Sequence, residues 1–326
     1  MAIVTTVIPV YNGEKYLKTA LDSLAHQKRQ PDRVIIIDNC STDGTRDIAR
    51  GYKGLPIEVV QNERNIGLFG NLNRALEYAE QTDYLHILTA DDIVLEDFFE
   101  KLMPVLESEP HLSLAYSRFE LIDSDVKRLP PWWFIDYKDN GAPPRKVGID
   151  ELLKKQSEMQ TVLVPAAVIK TDRDPLPCKF REDMPQVADV VFYAELARFC
   201  TSIIEVREIL CQYRIHPQNT TARNVEKLYE LSREEWDAMK IITQWGKGNK
   251  FKKRLRLCKL KSLHSARVEV CLGKVSGLSS EKKKEIRKSI IERTGVIFWF
   301  IGWLAVRVRN LFWRIRSKKQ SGPLGT

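Results

Sequence analysis

The chain has 326 residues, of which 43% are hydrophobic and 29% charged, with a formal net charge of +9 at pH 7. That balance excludes a disordered chain, no repeat period is visible, and one large domain with a smaller appendage is the simplest partition. The N-terminus lacks the basic segment and small-residue cleavage site of a secretory signal peptide, so an intracellular protein is expected. Cys40, Cys178, Cys200, Cys211, Cys258 and Cys271 are scattered, with no CxxC pair and no His/Cys cluster at metal-ligand spacing; they read as small core residues in a reducing compartment.

Residues 3–10 form an apolar, β-branched run containing Pro9, followed by Asn12-Gly13 and the helical pattern Tyr16, Leu17, Ala20, Leu21 and Leu24; this reads as strand, turn, helix. Residues 33–37 predict a second strand ending at Asp38, then a polar loop over 39–44 and a helix from Thr45. A third strand is predicted at 57–60, a helix at 68–78, and a fourth strand at 84–88 ending in Thr89-Ala90-Asp91-Asp92. Strands alternating with helices predict an α/β, Rossmann-like, mostly parallel sheet flanked by helices, with ligands bound beyond the carboxyl ends of the strands. Polar residues do follow each strand: Tyr11 and Asn12, Asp38, residues 62–65, then Asp91 and Asp92.

Residues 119–147 show little periodicity and include Pro130-Pro131-Trp132-Trp133-Phe134, predicting a long loop that faces a second substrate. Helical pattern returns at 149–153 and 190–199, and a short last strand is predicted at 211–215. From residue 224 onward the chain is expected to be helical and rich in Lys and Arg.

A diphosphate leaving group needs its developing charge neutralised, and carboxylates at a strand end can do this through a divalent metal. Asp91-Asp92 is so placed, although such a pair taken alone is more often a solvated turn or helix cap. Asp38 could accept a hydrogen bond from the imide N–H of a pyrimidine base, and Tyr11 could stack on it. No GxGxxG follows the first strand and no GxxxxGK[ST] loop is present, which disfavours dinucleotide and P-loop chemistry.

The ordered combination of residues 7–12, 36–45, Asn65-Ile66-Gly67 with Asn73, and 88–92 resembles family 2 of the inverting glycosyltransferases, of GT-A fold. The resemblance continues through 188–193 and Tyr213-Arg214-Ile215-His216-Pro217, covering about residues 2–220. It implies a glycosyltransferase domain over 1–223, with a nucleotide-sugar half to about 118 and an acceptor half from 119. By the same resemblance, Pro9, Tyr11, Asn12, Asp38 and Asn65 hold the nucleoside. Asp91 is the metal carboxylate, with Asp92 assisting it or capping the next helix; Thr89 stands where the family's first acidic residue would be. Arg214 contacts phosphate, and His216 joins the metal, Mn2+ or Mg2+, or the leaving group. Asp189 is the expected catalytic base, with Ala188 in place of the usual preceding Glu; Asp183, beside Glu182, is the competing candidate. The expected reaction is single displacement from a nucleoside diphosphate sugar, UDP-linked by preference, to a glycan or polyprenyl-linked acceptor in polysaccharide or glycoconjugate synthesis, with inversion at the anomeric carbon.

Residues 247–261 carry eight Lys or Arg, and 282–284 add three more. The uncharged run 296–306 would cover only about 16 Å as a helix, too short for a hydrocarbon core roughly 30 Å thick. Arg307, Arg309, Arg314, Arg316, Lys318 and Lys319 follow, interleaved with Leu311, Phe312, Trp313 and Ile315. The region 224–326 is therefore expected to be a basic helical appendage whose segment 291–319 lies on a membrane surface, making the protein peripheral on the cytoplasmic face. A docked helix or homodimer contact is the plainer reading of the same segment. Nucleic acid is disfavoured as a partner because the charges accompany an apolar aromatic run. A catalytically silent nucleotide-sugar-binding adaptor is the alternative to an enzyme.

Overall fold

The computed structural model describes residues 2–130, 137, 140–159, 162–216, 228–274 and 278–320, the side chains of 229, 274 and 309–320 excepted. The chain separates into two compact units, 1–217 and 218–326.

In the first unit, β1 (Val4–Val10), β2 (Arg33–Asp38), β3 (Ile57–Gln61) and β4 (Tyr84–Ile87) form the parallel sheet that the alternating pattern predicts, in the order β3-β2-β1-β4. Every residue of β1 is buried, Thr5 and Thr6 included, because the strand is flanked on both sides and covered on both faces. Alternate side chains serve opposite faces. Val7, Ile35, Ile37, Leu85 and Ile87 pack with Leu72, Ala75 and Leu76 of α3 (Gly67–Leu76). Val4, Ile8, Val34 and Ile36 pack with Leu17, Ala20, Leu21 and Leu24 of α1 (Leu17–Ala25) and with Phe98, Phe99 and Leu102 of α4 (Phe98–Glu107). Between β2 and β3 lies α2 (Thr45–Gly51). The register pairs Val10 with Asp38 and Asp38 with Gln61, so the carboxyl ends of three strands lie in line.

Beyond β4 the sheet becomes mixed. β9 (Ala167–Lys170) runs antiparallel between β4 and β6 (Ser113–Ile122), and β10 (Ser202–Arg214) lies parallel to β6. The predicted loop over 119–147 is partly strand: β6 extends to Ile122, β7 (Arg128–Leu129) folds back on it, and β8 (Ala142–Lys146) pairs with β10. Pro143 and Pro144 fall where the β8–β10 register shifts, a bulge that needs no ladder donor there and so admits proline into a strand. Residues 131–134 lie outside the described residues.

The last strand is thirteen residues long rather than the five expected. Its charged positions Glu205, Arg207 and Glu208 break the apolar run, and its register with β6 shifts twice between Val206 and Cys211. β5 (Ile93–Val94), directly after the Asp pair, is antiparallel to β10, with Gln212 opposite Ile93. That short ribbon brings Arg214 to Asp91 and Asp92 across more than a hundred residues of sequence. α5 (Ile149–Ser157) and α6 (Ala188–Leu196) complete the unit's long helices among the described residues.

The second unit consists of α7 (Leu228–Trp245), α8 (Lys250–Lys274), α9 (Ser280–Thr294) and α10 (Val296–Gln320) among the described residues. Leu228, Val268, Leu272, Ile286 and Ile290 form its core. The buried Glu235 carboxylate lies 2.8 Å from His264 Nδ1 and accepts from Arg267 Nε at 2.5 Å. Burial opposes its charge, but the Arg267 guanidinium and His264 outweigh burial and bring its pKa down to about 2.

Candidate active site

The loop after β1 and the loop after β2 are tied to each other. Ser41 Oγ accepts from the Asn12 N–H at 2.9 Å, Asn12 Oδ1 accepts from the Thr42 N–H at 2.9 Å, and Thr45 Oγ1 accepts from the Gly13 N–H at 2.8 Å. Asn12 and Cys40 hold positive φ of 50° and 62°, a conformation that costs most residues energy and that these cross-loop bonds maintain. Of the expected nucleoside-binding residues, Pro9 is a buried strand residue and Tyr11, 51% exposed, presents its ring to solvent.

Asp38 is buried at the end of β2. Its Oδ1 accepts from the Ser41 N–H at 3.1 Å, whereas Oδ2 makes no hydrogen bond and has Arg46 Nε at 3.8 Å. A buried carboxylate oxygen without a donor is costly unless a ligand supplies one. Beside it runs an amide network that joins Asn65 to Asn39, Asn62 and Asn71. Asn39 donates to Asn65 Oδ1 at 3.0 Å and accepts from Asn62 Nδ2 at 2.8 Å, and Asn71 Nδ2 donates to the Ile37 carbonyl at 3.1 Å. Asn65 Oδ1 also accepts from the Gly67 N–H, closing the turn into α3 where Gly67 adopts φ 77°. The signal for this network was the three asparagines at 39, 62 and 71, but it takes the register of β2 with β3 and the packing of α3 on the sheet to bring them together.

At the end of β4 the two acids separate in role. Asp92 is fully buried: Oδ1 accepts from the Arg214 N–H at 2.8 Å and Oδ2 from the Thr89 hydroxyl. Burial first, and the Asp91 charge second, push its carboxyl well above the usual range. Asp91 keeps a side chain 29% exposed, with Oδ2 3.0 Å from His216 Nε2. Thr89 therefore has a defined task, fixing Asp92, which in turn fixes the β10 backbone.

Arg214 is 1% exposed, and its guanidinium donates to the Asp91 carbonyl at 2.8 Å and to the Asp123 and Ser124 carbonyls at 3.1 Å. It also lies over the Tyr16 ring at 4.7 Å, while His216 packs on that ring at a centroid distance of 4.7 Å. Tyr16 donates to Ser124 Oγ at 3.2 Å. Arg214 thus fastens the Asp91 loop, the turn after β6 and α1 together. Arg214→Ala would remove a buried donor from three carbonyls, of which that of Asp123 still accepts from the Val126 N–H, and a loss of about 3–5 kcal/mol is expected in denaturant unfolding.

Asp189 occupies the first turn of α6, with its Oδ1 accepting from the Val190 N–H at 2.8 Å. Asp183 is held in a two-point pair with Arg181, at 3.0 and 2.6 Å, and its side chain is 64% exposed. Hydrogen bonding to Arg181 holds its carboxyl below the usual range, the wrong direction for a base. Asn73 anchors this segment by accepting from the Phe180 N–H at 2.8 Å and donating to its carbonyl at 3.0 Å.

Asp91 and His216 are donors of the right kind for a divalent cation. Among the described residues no group of three or more His, Cys, Asp or Glu side chains could hold one. The pair fits a cation that takes most of its ligands from phosphate oxygens and water, as Mg2+ usually does in nucleotide enzymes.

Residues 5–159 match the family model for glycosyl transferase family 2. This segment of the chain is a glycosyltransferase family 2 domain. It is 27% identical over 237 residues to a Bacillus subtilis protein named glycosyltransferase EpsH, covering 70% of this chain and 65% of that one. It is 34% identical over 125 residues to B. subtilis TuaG, named for teichuronic acid biosynthesis, covering 38% of this chain and 49% of TuaG. Less than two thirds of either relative is thus spanned. Among solved structures, S. aureus TarS 1–349 in complex with UDP-GlcNAc superposes with a TM-score of 0.62 at 19% identity over 90% of this chain and 81% of TarS. The mannosyltransferase PcManGT from Pyrobaculum calidifontis, in complex with GDP-Man and Mn2+, gives 0.56 at 16% identity over 95% and 87%. These likenesses show a GT-A fold.

Proposed function

We propose that this chain transfers a sugar from a nucleoside diphosphate sugar to a glycan or polyprenyl-linked acceptor, with inversion at the anomeric carbon. The observation that carries the reading is the pairing of Asp91 with His216 at 3.0 Å, beside loops that leave Asp38 Oδ2 without a hydrogen-bond donor. A uracil imide N–H would satisfy that oxygen, so a UDP-sugar is the favoured donor, with Tyr11 stacking on the base and Asn12 and Asn65 shaping its loops. Mn2+ or Mg2+, held by Asp91 and His216, would neutralise charge on the departing diphosphate. Arg214 and Asp92 position that site from beneath rather than touching the donor.

Asp189 removes the proton of the acceptor hydroxyl as its oxygen bonds to the anomeric carbon. The bond from that carbon to the diphosphate oxygen breaks on the opposite face, and the nucleoside diphosphate leaves with the electron pair. The naming of TuaG for teichuronic acid synthesis supports a cell-surface polysaccharide as the setting. The test is the anomeric configuration of the product by NMR, starting from an α-linked donor. A β-linked product is expected; an α-linked product overturns single displacement.

A further inference from the structure

Among the described residues no helix is long and apolar enough to cross a membrane, yet α10 leaves an apolar face uncovered. Its inner side is fixed against α8. Trp299 Nε1 donates to Glu269 Oε1 at 3.1 Å, and a Cβ on Gly302 would lie 2.6 Å from the Ser262 carbonyl and 2.8 Å from the Ala266 nitrogen. The two helices therefore run antiparallel in backbone contact, which only glycine permits at that point. Outward, Ile297, Phe300, Ile301, Leu304 and Val308 are between 44% and 69% exposed and follow the spacing of one helical stripe. At the N-terminal end of α8, Phe251 and Leu255 are 73% and 63% exposed, one turn apart.

The charge on the segments that carry these stripes is of one sign. α10 holds six Lys or Arg and no acid, and residues 247–261 hold eight and no acid. Arg307 sits 5.0 Å over the Trp303 ring. An apolar stripe set in acid-free basic helix requires a partner that is apolar and anionic together, which is the chemistry of an anionic lipid surface.

We infer that this face of the second unit docks in the headgroup layer of an anionic membrane. Ile297, Phe300, Ile301, Leu304 and Val308 enter the acyl boundary while the cations hold headgroups. Trp299, counted within the apolar run of the sequence, faces inward and takes no part in insertion.

The test is flotation of the full-length chain with phosphatidylglycerol/phosphatidylcholine vesicles and with phosphatidylcholine alone, for wild type and for Phe300→Asp combined with Leu304→Asp. Light scattering on the same samples follows oligomeric state, and circular dichroism follows helix content. Wild type should float with the anionic vesicles, and the double variant should lose about tenfold or more of that partition with its helix content kept. A charge variant, Arg307→Glu with Arg309→Glu, should lower binding to anionic vesicles and reduce the salt sensitivity of what remains. Equal flotation of wild type and both variants overturns the inference. So does a wild-type dimer that the double variant splits without wild-type lipid binding, or displacement of bound vesicles by an oligonucleotide that binds the wild type more tightly.

Discussion

Asp91→Ala is expected to lower turnover by about three orders of magnitude at saturating donor, the scale seen when a single preorganised charge is removed from an active site. The size of the effect follows from the unequal roles of the two acids. Asp92 cannot take over, because both its oxygens are occupied by the Arg214 N–H and the Thr89 hydroxyl beneath the surface. Asp91→Ala should leave the unfolding midpoint within about 0.5 kcal/mol, since it removes a partly exposed side chain, whereas Asp92→Ala should destabilise by about 2 kcal/mol or more by orphaning a buried N–H. Steady-state kinetics over a manganese titration, paired with denaturant unfolding, checks both. Full activity in Asp91→Ala would remove the metal role from that residue.

Asp189→Asn should cost about 10²–10⁴ in kcat, the usual contribution of a positioned general base, with donor affinity unchanged. Asp183→Asn, by contrast, should stay within about twofold, because Asp183 is already neutralised by the two-point contact with Arg181 and lies 64% exposed. The acidic limb of the pH–rate profile should vanish in Asp189→Asn and persist in Asp183→Asn. The reverse pattern would assign the base to Asp183.

The parallel half of the fold was legible because its signals are local: short, largely apolar strands, turn residues at their ends and helical spacing between them. The mixed half was not. Pro104 lies inside α4, charged residues interrupt β10, and β9 gains its place only by antiparallel pairing with strands distant in sequence. At the site, the residue types at Asp38, Asp91 and His216 could be read as motif, but not the division of labour among neighbours. Arg214 read as a phosphate contact, and its guanidinium also donates to carbonyls of residues 91, 123 and 124. Thr89 read as a defect in an acidic motif, and its hydroxyl proves to be a fixed partner of Asp92. Such assignments depend on which strand lies beside which, information that resides in the β5–β10 ribbon and not in either segment alone.

The central claim is that sugar leaves a nucleoside diphosphate for an acceptor at the Asp91–His216 centre. It is tested most directly by measuring nucleoside diphosphate release from a panel of UDP-, GDP- and dTDP-sugars, with manganese or magnesium, in the presence and absence of membrane extract as the source of acceptor. The expected result is release from a single donor, UDP-linked, that requires both acceptor and metal and is abolished by Asp91→Ala and by Asp189→Asn. Tight binding of a donor with no acceptor-dependent release would contradict the claim and leave a nucleotide-sugar-binding module without catalysis.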